Sequence, residues 1–223
     1  MTREDVCARI HSIGIIPAIR VSSLRDAEFA TAAVREGGIP IVEITMTVPG
    51  AIELISELVR GDGGIVVGAG SILDTETAER CLDAGAKFLT STGLDLSLVE
   101  LAKARGVVVL PGALTPTEVI AAWKAGSDFV KVFPCTQVGG DHYIRALKAP
   151  LPQVPIVAAG GVNQHNAASF ILAGAAAIGI GTELVPKEAI RLGNKSWIIE
   201  LAQRFVRIVN TARAHGTAAG TDD

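Results

Sequence analysis

Aromatic residues make up only 4% of this 223-residue chain and charged residues 19%. With so few rings, a core has to be filled by Val, Ile, Leu and Ala. At 49% hydrophobic residues there are enough of them to exclude intrinsic disorder. A charged fraction below the usual quarter points to apolar surface covered by a partner subunit. Only three cysteines occur, Cys7, Cys81 and Cys135, and none forms a CxxC pair. That excludes a disulfide framework and predicts reduced thiols and a cytoplasmic location. Positive charge is not in excess: the net charge is −3 and the pI about 5.8. Nucleic acid and anionic membrane are therefore not expected as partners. No apolar run is long enough to span a bilayer. Arg3, Glu4, Asp5, Arg9 and His11 do not read as a secretory signal. The four histidines, His11, His142, His165 and His215, lack metal-ligand spacing, so neither metal nor other cofactor is expected. GxSxG, Walker A and dinucleotide fingerprints are absent.

What is present is an even rhythm. Short β-branched runs start near Ile15, Ile41, Ile65, Phe88, Val107, Phe129, Ile156 and Ala177, spaced for one strand, one helix and two loops. Helical apolar spacing fills the gaps, as in Leu24 to Glu36 and Leu96 to Arg105. Thr115-Pro116-Thr117-Glu118 reads as an N-cap, a Pro at the first helical position and a capping-box Glu. Eight strands with parallel crossovers predict an α/β fold, a single (β/α)8 TIM barrel over residues 1–215. A doubly wound open sheet is the alternative. A further N-terminal helix, Asp5 to Ile13, is expected to close the barrel bottom. A last helix is expected over Lys195 to Ala212, and a disordered tail over 216–223.

Three features carry chemistry. In Phe129-Val130-Lys131-Val132-Phe133, alternation puts Lys131 opposite the valines. If Val130 and Val132 pack on helices, Lys131 points into the barrel, where desolvation favours the neutral amine that attacks a carbonyl. A lysine snorkelling at a sheet edge is the plainer reading. The same alternation in Ile41-Val42-Glu43-Ile44-Thr45 turns Glu43 inward. Both strands are even-numbered and feed one side-chain layer, so Glu43 can meet Lys131 as an acid/base group or as a structural ion-pair partner. Third, Gly160-Gly161 and Gly181-Thr182 end strands seven and eight, where barrels of this type hold phosphate on bare backbone N–H groups.

Several segments together carry a resemblance: Ile15-Ile16-Pro17-Ala18-Ile19-Arg20, Glu43-Ile44-Thr45, Gly68-Ala69-Gly70-Ser71, Pro111-Gly112, Thr115-Pro116-Thr117-Glu118, Lys131-Val132-Phe133-Pro134 and Gly160-Gly161-Val162. From about Ile13 to Val209 the chain resembles the class I 2-dehydro-3-deoxy-6-phosphogluconate aldolases of the Entner–Doudoroff pathway. That family includes relatives cleaving 4-hydroxy-2-oxoglutarate and the phosphogalactonate isomer. The resemblance implies a metal-free aldolase in which Lys131 forms the Schiff base and Glu43 transfers protons. It implies that Ser71 contacts the carboxylate of a small 2-oxo acid and that Gly160, Gly161 and Thr182 bind its phosphate. It also implies a homotrimer. Three positions depart from the pattern. Thr47 stands where some members hold a carboxylate-binding Arg, a role that Arg20 at the end of strand one is expected to take. Ser91-Thr92-Gly93 replaces Ser-Pro-Gly/His, and Ala159 replaces a Thr of the phosphate loop. An isomerase or epimerase on the same barrel, and a non-catalytic sugar-acid-binding trimer, are the competing readings.

Overall fold

The computed structural model describes residues 1–61 and 64–218. Nine parallel strands form a nearly closed barrel flanked by helices. In chain order these are β1 (Ile15–Ile19), β2 (Ile41–Thr45), β3 (Val66–Ile72), β4 (Phe88–Ser91), β5 (Val108–Leu110), β6 (Gly112–Ala113), β7 (Val130–Val132), β8 (Ile156–Ala159) and β9 (Ala177–Ile180). The eight-strand expectation differs by one because Pro111 splits a single stave. Leu110 pairs with Thr90 of β4, whereas Gly112 pairs with Lys131 of β7. Proline has no N–H for the ladder, but its carbonyl still accepts from the Lys131 N–H at 2.9 Å. Pro17 lies within β1, opposite Ile180.

The helices follow the cap chemistry. Helix α1 (Arg3–Ile13) starts on a Thr2–Asp5 capping box, and α6 (Pro116–Ala125) starts on the expected Thr115–Glu118 box. The Glu118 carboxyl is held below its usual range, chiefly by the Thr115 and Leu114 backbone N–H groups. Of the two asparagines before α8 (Ala167–Leu172), Asn166 and not Asn163 stands at the N-cap position. Asn163 Oδ1 instead accepts from the His165 and Asn166 N–H groups, closing the turn before the helix.

Below the barrel, α1 buries Val6 and Ile10. Asp128, just before β7, pairs with Arg3 at 2.8 Å and accepts from the Cys7 thiol and the Val109 N–H. One carboxylate thus joins α1, β5 and β7. The last helix, α10 (Lys195–Ala218), runs beyond the expected Ala212. Arg213 donates to the carbonyls of His11, Ser12 and Ala176, fixing the added turn under the barrel. The part of the expected tail at 219–223 lies outside the described residues.

Candidate active site

Strand alternation and two glycines build the centre of the site. Val42, Ile44, Val130 and Val132 are fully buried under the helices, which leaves Glu43 and Lys131 facing the barrel interior. From non-adjacent staves, Lys131 Nζ lies 3.9 Å from Glu43 Oε2, with side chains 14% and 5% exposed. Nζ also sits 5.7 Å from the centre of the Phe133 ring. Room for the Glu43 carboxylate comes from Gly70 on β3, where any Cβ would collide with Glu43 Oε1, Cδ and Cγ. One turn of the pleat below, Gly68 makes the same allowance for the Phe88 ring. Losing either member of a buried pair leaves the other charge uncompensated, at about 3–5 kcal/mol.

Arg20 follows directly on β1, and its Nη2 donates to Ser71 Oγ at 3.2 Å. Ser71 is the one non-glycine residue with positive φ (58°) among the described residues. The β3–β4 register breaks between Ala69 and Ile72, so the serine sits in an irregularity at the strand end. Such a conformation costs about 1–3 kcal/mol and aims a side chain that a regular strand would point elsewhere. Thr47 is turned back toward its own strand. Its hydroxyl bonds Thr45, whose own hydroxyl reaches the Ile19 carbonyl.

Gly160 and Gly161 both have positive φ, 85° and 82°. A Cβ on Gly160 would lie 2.8 Å from Pro134 Cα, and one on Gly161 would lie 2.5 Å from Thr136 Oγ1. Only glycine lets this loop lie against the segment after the lysine strand. Among the described residues, no backbone bond uses the N–H groups of Gly160, Gly161, Gly181 or Thr182.

Lys131, Glu43, Arg20 and all four of these loop residues line one cavity of about 410 Å³. Of the site residues expected from sequence, Ser71 alone is outside the lining, and it touches the cavity through Arg20. Phe133, Asn163 and Glu183 also line it and were not anticipated. The place of Glu183 directly after Thr182 was the available signal. Among the described residues, no three His, Cys, Asp or Glu side chains are grouped to hold a metal ion.

This arrangement places an amine beside a carboxylate in a cavity that is also lined by a guanidinium and two glycine-rich loops. The sequence profile of the KDPG and KHG aldolases matches residues 6–201. A 2-dehydro-3-deoxy-phosphogluconate aldolase of Treponema pallidum (strain Nichols) is 30% identical over 200 residues, covering 90% of this chain and 95% of the relative. The KHG/KDPG aldolase of Escherichia coli (strain K12) is 29% identical over 193 residues, 86% of this chain and 90% of that protein. The crystal structure of a KDPG aldolase from Legionella pneumophila, with pyruvate captured as a covalent carbinolamine, superposes with a TM-score of 0.82. It is 29% identical and covers 88% of this chain and 96% of its own. The chain belongs to the KDPG and KHG aldolase family and is an aldolase, a carbon–carbon lyase.

Proposed function

We propose that this aldolase works through a Schiff base and reversibly cleaves 2-dehydro-3-deoxy-6-phosphogluconate to pyruvate and glyceraldehyde 3-phosphate. The observation that carries the reading is the 3.9 Å approach of Lys131 Nζ to Glu43 Oε2 inside the cavity. Nζ attacks the 2-oxo carbon, and loss of water from the carbinolamine gives a cationic imine. Glu43 takes the proton of the 4-hydroxyl as the C3–C4 bond breaks, and the bonding pair moves into the imine to give an enamine. Protonation at C3 and hydrolysis release pyruvate and return the lysine. Arg20, steadied by Ser71, receives the substrate carboxylate. Its planar fork matches both carboxylate oxygens. The Gly160-Gly161 and Gly181-Thr182 loops take the phosphate through backbone N–H groups and one hydroxyl.

The chain reads as one barrel domain over residues 1–215 that works in the cytoplasm as a homotrimer. Exposed apolar side chains such as Leu73, at 78% exposure, support a partner subunit. A second reading, cleavage of 4-hydroxy-2-oxoglutarate, is favoured by Ala159, which offers the phosphate loop no hydroxyl. Pyruvate release coupled to lactate dehydrogenase separates the two. The phosphorylated six-carbon acid is expected to exceed 4-hydroxy-2-oxoglutarate in kcat/KM by more than about tenfold. Equal values would transfer the assignment to the shorter substrate.

A further inference from the structure

The glycine-loop part of the cavity lining has an unusual charge for a phosphate site. Its lining there consists of Ala159, the backbone of Gly160, Gly161 and Gly181, Thr182 and Glu183. The two cations lining the cavity already have partners, Arg20 in Ser71 and Lys131 in Glu43. The Asn163 side chain is occupied by its own turn, accepting from His165 and Asn166. The Asn166 amide donates to the Gly161 carbonyl. Glu183 is exposed and, among the described residues, takes part in no ion pair within 4.0 Å. A site made of neutral donors thus carries one unbalanced carboxylate.

We infer that Glu183 is a specificity-determining residue that weakens binding of a phosphate terminus and favours a terminal hydroxyl. The inference rests on the aldolase reading above and deepens it. A phosphate dianion only accepts hydrogen bonds, so it can use the loop N–H groups but is repelled by the carboxylate. A hydroxyl does both: it accepts from an N–H group and donates to Glu183. Because the side chain lies at the open rim, the repulsion is screened by salt. Glu183 therefore tempers the phosphate preference set by the glycine loops.

The test compares wild type with Glu183→Gln on the phosphorylated six-carbon acid and on the same acid without its phosphate. Both are followed by pyruvate release. The ratio of kcat/KM, phosphorylated over unphosphorylated, is expected to rise about tenfold in the variant, the scale of a near-surface contact between a carboxylate and a dianion. The change should lie mainly in KM and shrink at high ionic strength. A merely structural glutamate would lower both substrates together and leave the ratio in place. A rise below about threefold, or a fall, overturns the inference. Borohydride trapping of pyruvate on both proteins separates the two levels. Trapping with an unmoved ratio removes only the role of Glu183, whereas no trapping on wild type removes the aldolase mechanism and this inference with it.

Discussion

Replacing Gly70 by Ala moves the Glu43 carboxylate without substituting Glu43 or Lys131. Gly70 pairs with Thr45 in regular β3–β2 register, and its φ is one that alanine adopts, so the perturbation is purely steric. The new methyl would overlap Glu43 Oε1, Cδ and Cγ, and the carboxylate must retreat by about 1 Å or more to reach ordinary contact. A displacement of that size at a reacting group costs roughly 10²-fold in turnover. Complete loss of the acid/base group in Glu43→Gln costs about 10²–10⁴-fold and sets the floor. Overpacking adds about 1–3 kcal/mol of destabilisation, or roughly 2–12 °C in Tm for a chain of this size. Pyruvate release gives kcat, a thermal melt gives the stability cost, and Gly68→Ala serves as control. That variant crowds the Phe88 ring instead, so it should lower Tm comparably while sparing most of kcat. A Gly70→Ala enzyme with lowered Tm and normal kcat would refute the reasoning and make Glu43 a structural partner of Lys131.

Arg20 is exposed, so Arg20→Ala should leave Tm nearly unchanged while raising KM for the 2-oxo acid roughly 10- to 100-fold, the worth of a charged hydrogen-bonding contact. An unchanged KM would return Arg20 to the surface. The buried Cys81 and Cys135 thiols are both pushed up to about 11 from an ordinary 9.0, first by desolvation. Folded-state values above the unfolded ones mean stability that is complete below pH 9 and is lost as pH rises through 11. The loss should approach about 1.4 kcal/mol per pH unit per thiol, measured by urea unfolding at pH 8 to 11. Cys81→Ala with Cys135→Ala should flatten that slope, and an equally steep slope in the double variant would contradict it.

The parts of the site visible in sequence are those written in alternation. Lys131 and Glu43 stand out because a charged residue flanked by valines and isoleucines has one face left to occupy. The glycine loops are legible because Gly160 and Gly161 end a strand where a barrel binds anions. Ser71 gave no such signal from its residue type, since serine carries no mark of positive φ. The role expected of it came from the resemblance, and the strain that aims it belongs to the β3–β4 register break. Gly112–Ala113 is too short for any periodicity, so the split at Pro111 was invisible. Asn163 and Asn166 both carry capping chemistry, and only the packed turn decides which one starts α8. The extra turn of α10 depends on Arg213 finding carbonyls from α1 and the loop before β9, contacts that no local pattern encodes.

The central claim is that Lys131 forms the imine. Incubation with pyruvate and borohydride, followed by peptide mass spectrometry, tests it most directly. The account predicts a stable adduct of one reduced pyruvate on Lys131, absent in Lys131→Ala and still formed in Glu43→Gln. No adduct on a folded wild-type protein, or an adduct on another lysine, would contradict it.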